Sequence, residues 1–313
     1  MFKRNLAKTA AFFALLAIFG FLAGCSDSKD KTKAASKDEL DKLVVQFVPT
    51  RSGESMETKA KPLEKLLAKE LGIPVDISVS TDYSTIIEAM ASKKIDVGIM
   101  PPNSYVMAHD QNAADAVLQA QIPGVKQPGG ESDLENLVDS FRAEIVVKKD
   151  SGIKKLEDLK GKRIAAQDVV SASGYVFPVA ELMDKGLEAD KDFEIVNVKG
   201  MDAASMAVLN GDADAAFLFE DGRNLIKKDV PDVFEKLDVL YFTEGRIPND
   251  AIAVRNGLDD AWHKKISEAF IKVSKSPEGK EVISTLFAHQ GYVESDDSKY
   301  DIIREYGKKV GQN

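Results

Sequence analysis

The sequence predicts an α/β fold of two units in series, closed by a helical tail. Three observations predict it. From Leu43 onward, short apolar or alternating runs are followed by segments with apolar residues at helical spacing, the order of a parallel sheet with right-handed crossovers. That order is interrupted near residue 140 and again near 245. Beyond the second seam one strand precedes a succession of helical segments. If this tail returns to the first unit, two chain segments cross between the units, which makes a hinge and a cleft of the kind ligands favour.

The elements follow in order. Leu43–Val48 (LVVQFV) is a β-rich run ended by Pro49, and Thr50-Arg51-Ser52-Gly53 forms a loop with Ser52 or Ser55 as the next N-cap. Leu63, Leu66, Leu67 and Leu71 predict a helix over 56–71, stopped by Gly72. Val75, Ile77 and Val79 alternate in a second strand, and Thr81-Asp82-Tyr83-Ser84 caps a helix to Ala91. A third strand covers 95–100, and Pro101-Pro102-Asn103-Ser104 opens a helix to about Gln111. Pro123, Gly124, Pro128, Gly129 and Gly130 then mark a loop, with a short helix predicted over 131–140.

The second unit has strands at 143–147, 163–166, 194–198, 213–219 and 239–243. Helices are predicted at 153–159, from Ser171 to Lys185, at 203–210 before Gly211, and at 221–228. The tail is a strand at 251–255 and helices at 258–274, 279–290 and 297–309. The expected division is therefore 43–140 plus 246–313 for one lobe and 141–245 for the other.

Residues 1–24 lie outside this pattern. Lys3, Arg4 and Lys8 precede an apolar run from Thr9 to Phe21, then Leu22-Ala23-Gly24-Cys25. That is the order of a signal peptide. The run is shorter than the roughly 20 apolar residues a membrane span needs. The tetrapeptide resembles the bacterial lipobox, which predicts cleavage before Cys25 and lipidation of its thiol. Cys25 is the single cysteine, so no disulfide forms within the chain. Residues 25–42 are polar and lack apolar periodicity, as a flexible tether does. The expected location is the outer face of the cell membrane, held there by the lipid.

The formal net charge is −9, and losing the three basic leader residues takes it to about −12. An acidic surface argues against nucleic acid as a partner. It leaves room for an anionic ligand, because local N–H groups and dipoles override net charge inside a cleft. No HExxH, CxxC, P-loop or GxSxG motif is present. The three histidines, His109, His263 and His289, do not form a metal-binding pattern. The chain thus reads as a binder without cofactor or metal, not as an enzyme.

The sharpest local feature is Ser171-Ala172-Ser173-Gly174, between a strand and a helix. Short hydroxyls and a glycine there leave backbone N–H groups free at the positive end of a helix, a site for an oxyanion. Thr50–Gly53 and Pro102-Asn103-Ser104-Tyr105 also follow strands, where open α/β sheets bind ligands. Tyr83 and Tyr105 are candidate pocket walls. Asp221 and Asp250 stand beside strands and suit an ammonium group through charge-assisted hydrogen bonds. Arg142, Arg223 and Arg246 read first as salt-bridge partners.

Several segments resemble one known family. They are Thr81–Met90 (TDYSTIIEAM), Lys94–Gly98 (KIDVG), Ser171–Pro178 (SASGYVFP), Ala207–Ala216 (AVLNGDADAA) and Ile247–Asp250 (IPND). In this order and spacing they resemble the PhnD-like phosphonate-binding proteins of ABC importers, from about Leu43 to the C-terminus. The resemblance implies a type II periplasmic-binding-protein fold, with two mostly parallel lobes that close on a phosphorus oxyanion. It places the anion at Ser171 and Ser173, an amine at Asp221 and Asp250, and a tyrosine at Tyr83. It implies an ABC permease and a separate ATPase as partners. Phosphite, phosphate or a sulfonate are alternative ligands, and a receptor feeding a signalling kinase is an alternative role. Three positions depart from the family pattern. Ala172 replaces a common threonine, Met201 a common histidine, and Phe141 or Arg142 a tyrosine; Arg142 is a candidate to compensate.

Overall fold

Two mixed sheets organise the computed structural model, which describes residues 40–48, 56–126 and 130–312. The leader, Cys25, nearly all of the tether and the Thr50–Gly53 loop lie outside the described residues. The first unit runs β1 (Leu43–Phe47), α1 (Met56–Leu71), β2 (Val75–Val79), α2 (Tyr83–Ala91), β3 (Val97–Met100), α3 (Pro102–Asp110), β4 (Ala114–Lys126) and β5 (Glu131–Val138). The second runs β6 (Ser140–Lys148), β7 (Arg163–Ala166), α4 (Phe177–Asp184), β8 (Glu194–Asn197), α5 (Met201–Asn210), β9 (Ala215–Phe219), α6 (Val233–Lys236) and β10 (Leu237–Pro248). The tail is β11 (Ala251–Arg255), α7 (Asp260–Lys275), α8 (Pro277–Phe287), β12 (Gly291–Glu294) and α9 (Asp301–Lys309).

The first sheet has the order β12-β4-β11-β3-β1-β2, with β5 paired to β4. Its βαβ part, β2-β1-β3, is parallel as the alternation predicts. The tail strands enter antiparallel, β11 between β3 and β4 and β12 beyond β4. The second sheet has the order β10-β6-β9-β7-β8. There β9-β7-β8 is parallel, while β6 and β10 are antiparallel. Both sheets are therefore mixed, not mostly parallel. Of the antiparallel strands, β6 and β11 arrive by crossing from the other sheet and so need no βαβ crossover.

Helical periodicity explains the main core. Met56, Ala60, Leu63, Leu67 and Leu71 form the buried stripe of α1. They pack with Leu43, Val45 and Phe47 of β1 and with Ile266, Phe270, Ile283 and Leu286 of α7 and α8. Caps set the starts: Asp82 Oδ1 accepts from the Thr85 N–H at 2.8 Å, and Asp259 Oδ1 from that of Trp262 at 2.9 Å.

The helix expected over 131–140 is instead β5, the outer strand of a hairpin with β4. Leu134 and Leu137 have helical spacing, yet Leu134 is 67 % exposed, because strand pairing and not a buried face holds the segment. Helix α8 stops at Phe287 rather than Gln290, since Ala288 adopts a left-handed conformation and the chain turns into β12.

The two crossings between the sheets run side by side, with Ser140 opposite Pro248. Asn249, 1 % exposed, ties them to the hairpin. Its side-chain amide donates to Ala120 O at 2.9 Å and Val138 O at 2.8 Å, and its N–H donates to Asp139 O at 2.9 Å. A second tie is Glu181 on α4, buried at 4 % exposure. Its carboxylate accepts from the hydroxyls of Tyr241 at 2.7 Å and Tyr306 at 2.9 Å. It also accepts from the N–H groups of Glu244 and Gly245, both at 2.9 Å. Tyr306 stacks on Phe177, ring centroids 4.0 Å apart, so α9 is fastened to the second unit.

Glu181→Ala leaves buried donors without an acceptor, each costing about 1–3 kcal/mol. We expect thermal denaturation to show at least ~3 kcal/mol of destabilisation, well beyond that of Tyr306→Phe, which removes one donor.

Candidate functional site

The site starts where β7 ends. Gln167 follows the strand, and Ser171 caps a wide π-type turn over Ala172–Val176 that runs directly into α4. Ser171 Oγ accepts from the Gly174 N–H at 3.2 Å and donates to Gln167 Oε1 at 3.1 Å. Position 174 must be glycine for this packing: a Cβ would stand 2.8 Å from Ser171 Oγ and 2.9 Å from the Gln167 side chain. The first N–H groups of a helix have no partner within it, and the dipole adds positive potential there.

This turn forms one wall of a cavity of about 470 Å³, lined from both sheets. Ser171, Ala172, Ser173, Gln167, Met201 and Phe219 contribute from the second unit, and Tyr83, Pro101 and Pro102 from the first. The β4–β5 hairpin adds Ile122, Pro123, Gly124, Val125, Ser132 and Asn136. Tyr83 opens α2 and lines the cavity with the serines; burial pushes its pKa up to about 12, so its hydroxyl stays protonated.

The acids sit at two places. Asp221 adopts a left-handed conformation (φ 66°) after β9 and is 3 % exposed. Its Oδ2 accepts from Asn224 Nδ2 at 2.7 Å, and its Oδ1 lies 3.6 Å from Arg223 Nη2. Among the described residues Oδ1 meets no hydrogen-bond donor. Burial raises its pKa to about 6, against the lowering effect of Arg223. Beneath it, fully buried Glu144 accepts the Asp221 N–H at 3.0 Å, and burial raises its pKa to about 8. The hairpin closes over this point, where Gly130 O accepts from Asn224 Nδ2 at 2.9 Å. Gly130 has φ +70°, and a Cβ there would lie 2.7 Å from Asp221 Oδ1. On the other side Asp250 Oδ2 lies 3.3 Å from His289 Nε2, and His289 Nδ1 lies 3.3 Å from the Tyr292 hydroxyl.

Of the residues singled out in the sequence, the structure brings Tyr83, Arg142, Ser171, Ser173, Asp221 and Asp250 to the cavity. Gly174 supports the turn from behind. Tyr105 does not line the cavity: it is fully buried, donates to Asp297 Oδ1 at 3.0 Å and packs on Tyr300 at 4.6 Å. Ser104 is fully buried too and lies outside the lining. The reason is that α3 is buried on several sides, so only its first prolines reach the cavity. Arg142 does line it, but its guanidinium binds Glu220 and lies 4.1 Å from the Phe242 ring centroid. Arg246 likewise donates to Ser140. Sequence reasoning missed Gln167, Glu220, Asn249 and His289 as lining residues. Gln167 carried a signal, its place between a strand and the serine turn; His289 carried none, because only the fold of α8 and β12 brings it beside Asp250.

A family model described as "ABC transporter, phosphonate, periplasmic substrate-binding protein" matches residues 45–300. The chain belongs to this phosphonate-binding family. Among curated relatives, the phosphate-import protein PhnD of Mycolicibacterium smegmatis is 28% identical over 223 residues, covering 69% of this chain and 65% of that protein. The phosphonates-binding periplasmic protein of Escherichia coli is 25% identical over 276 residues, covering 87% of this chain and 78% of the relative. Among solved structures, PhnD1 of Prochlorococcus marinus in complex with methylphosphonate superposes with a TM-score of 0.73 at 19% identity, covering 87% of this chain and 99% of the other. A binding-protein component of an ABC phosphonate transporter from Pseudomonas aeruginosa gives 0.72 at 22% identity, covering 87% of both chains. The phosphonate-binding family thus shares the two-sheet, type II periplasmic-binding fold seen here. Ala172, Met201, Phe141 and Arg142 all line the cavity.

Glu144 and Asp221 hold protons in the folded chain at pH values where the unfolded chain has released them. Stability therefore falls as pH rises from about 4, the unfolded carboxylate range, to about 8, the raised Glu144 value. Glu144→Gln stays neutral throughout. Chemical denaturation across that range should give a flatter stability profile for this variant, with its advantage over the parent largest at the alkaline end.

Proposed function

We propose that this protein is the extracytoplasmic solute-capturing subunit of an ABC importer and that its ligand is a small phosphorus oxyanion, most simply a phosphonate. One observation carries the reading: the Ser171–Ser173 turn, at a helix start, faces a cavity lined from both sheets. Hydroxyls, helix N–H groups and the Tyr83 hydroxyl supply several donors to one tetrahedral anion, and charge-assisted bonds contribute roughly 1.5–3 kcal/mol each. Membership of the phosphonate-binding family supports it, as does the methylphosphonate held by a structural relative. The lobes are 43–140 with 246–313, and 141–245, hinged at the paired crossings around Ser140 and Pro248. Closure commits the ligand, which then passes to a permease driven by a separate ATPase.

Residues 1–24 act as a signal peptide, and Cys25 carries the lipid that holds the protein on the outer face of the membrane. Among the described residues no helix is long and apolar enough to cross a membrane. Cys25→Ser should shift the protein from the membrane fraction to the medium or periplasm, with loss of the acyl mass by mass spectrometry.

A bound phosphonate should raise the melting temperature by mass action, by about 2.7 kcal/mol of stability at a hundredfold excess over Kd. Ser171→Ala with Ser173→Ala should weaken calorimetric affinity at least tenfold. Unchanged affinity in that double variant refutes the anion site.

A further inference from the structure

A phosphorus oxyanion held at Ser171 and Ser173 has a substituent to place in the remaining cavity. That space is large: the total of about 470 Å³ falls within the ~300–1,000 Å³ of pockets that enclose drug-sized molecules. Its walls away from the serines are Phe141, Phe219, Met201, Leu225 and, from the hairpin, Ile122 and Val125. Phe141 and Phe219 meet edge to face, with centroids 6.4 Å apart, which presents aromatic surface to the space. A substituent of one or two carbons would leave most of this apolar wall uncovered.

The acids lining the cavity are Glu220, Asp221 and Asp250, and each already faces a cationic or protonatable group of the chain itself. Arg142 engages Glu220 through both its backbone N–H and its guanidinium. Arg223 Nη2 lies 3.6 Å from Asp221 Oδ1, and His289 Nε2 lies 3.3 Å from Asp250 Oδ2. A ligand ammonium would compete with these partners and bring its charge close to them. Two acceptors are left unmet: Asn249 Oδ1 and Asp221 Oδ1 lack a hydrogen-bond donor among the described residues; a neutral hydroxyl or water can supply one to either, and the charge of Asp221 already has Arg223 Nη2 at 3.6 Å.

We infer that the cavity selects a phosphorus oxyanion with a bulky, uncharged and largely apolar substituent, in preference to methyl- or aminoalkylphosphonates. The inference rests on the reading of the serine turn as a phosphorus-anion site. It departs from the amine-holding role that the family resemblance implies for Asp221 and Asp250.

Calorimetric titration of the intact chain in mild detergent, near neutral pH, tests it with benzylphosphonate, methylphosphonate, 2-aminoethylphosphonate and inorganic phosphate. Benzylphosphonate should bind at least tenfold tighter than the other three, a gap of about 1.4 kcal/mol. Equal or tighter binding of methylphosphonate, 2-aminoethylphosphonate or phosphate overturns this inference and leaves the anion site standing. Absence of binding by all four overturns the proposed function, and this inference with it.

Discussion

The chain passes from one sheet to the other and back through two strands that are hydrogen-bonded to each other. Ser140 lies opposite Pro248, and pairing continues along β6 and β10 into the second sheet. Because these crossings are laddered together, they hold the two sheets in one fixed neighbourhood while each sheet keeps its own core. Asn249 extends the constraint into the first sheet, since its amide bonds both Ala120 and Val138. The hairpin, the paired crossings and the cavity lining thus share one buried residue. The next residue, Asp250, is a cavity acid, so its position follows from the same lock.

Glu181 does the corresponding work further from the cavity. Four donors from α4's neighbours converge on one buried carboxylate. Such a group is costly to bury unless each oxygen is satisfied, and here both are. The result binds the last helix to the second unit through Tyr306 and Phe177. The serine turn runs straight into α4, the helix that Glu181 anchors. Such anchoring behind the proposed anion site matters because donors act best if they are aimed before the ligand arrives.

An acidic chain is compatible with the proposed anion site. The net charge of −9 describes the surface as a sum, whereas a ligand at that site would meet a helix start, two hydroxyl residues and a neutral tyrosine. Glu220 and Asp221 are matched by Arg142 and Arg223, and burial pushes Asp221 and Glu144 toward the protonated form. The local field is therefore much less negative than the composition suggests.

By itself the sequence determined what local physics controls. Alternation and helical spacing place β1 to β3, α1 and α2, and the strand-turn-helix around Ser171, because each is set by residues within one or two turns of each other. The serine turn was legible as a candidate lining element for the same reason, and the family-like segments pointed to Tyr83, Asp221 and Asp250, which line the same cavity. The tertiary structure decided everything that depends on distant pairing. The segment at Glu131–Val138 reads as a helix and is a strand, because β4 supplies a ladder partner that no local pattern contains. Tyr105 reads as a pocket wall and is core, because Tyr300 and Asp297 arrive from the far end of the chain. His289 beside Asp250, and Arg142 on Glu220, join residues from separate strands and helices. Those pairings set the charge and the shape of the cavity, which is why its candidate lining residues were partly readable in the sequence and its charge balance and shape were not.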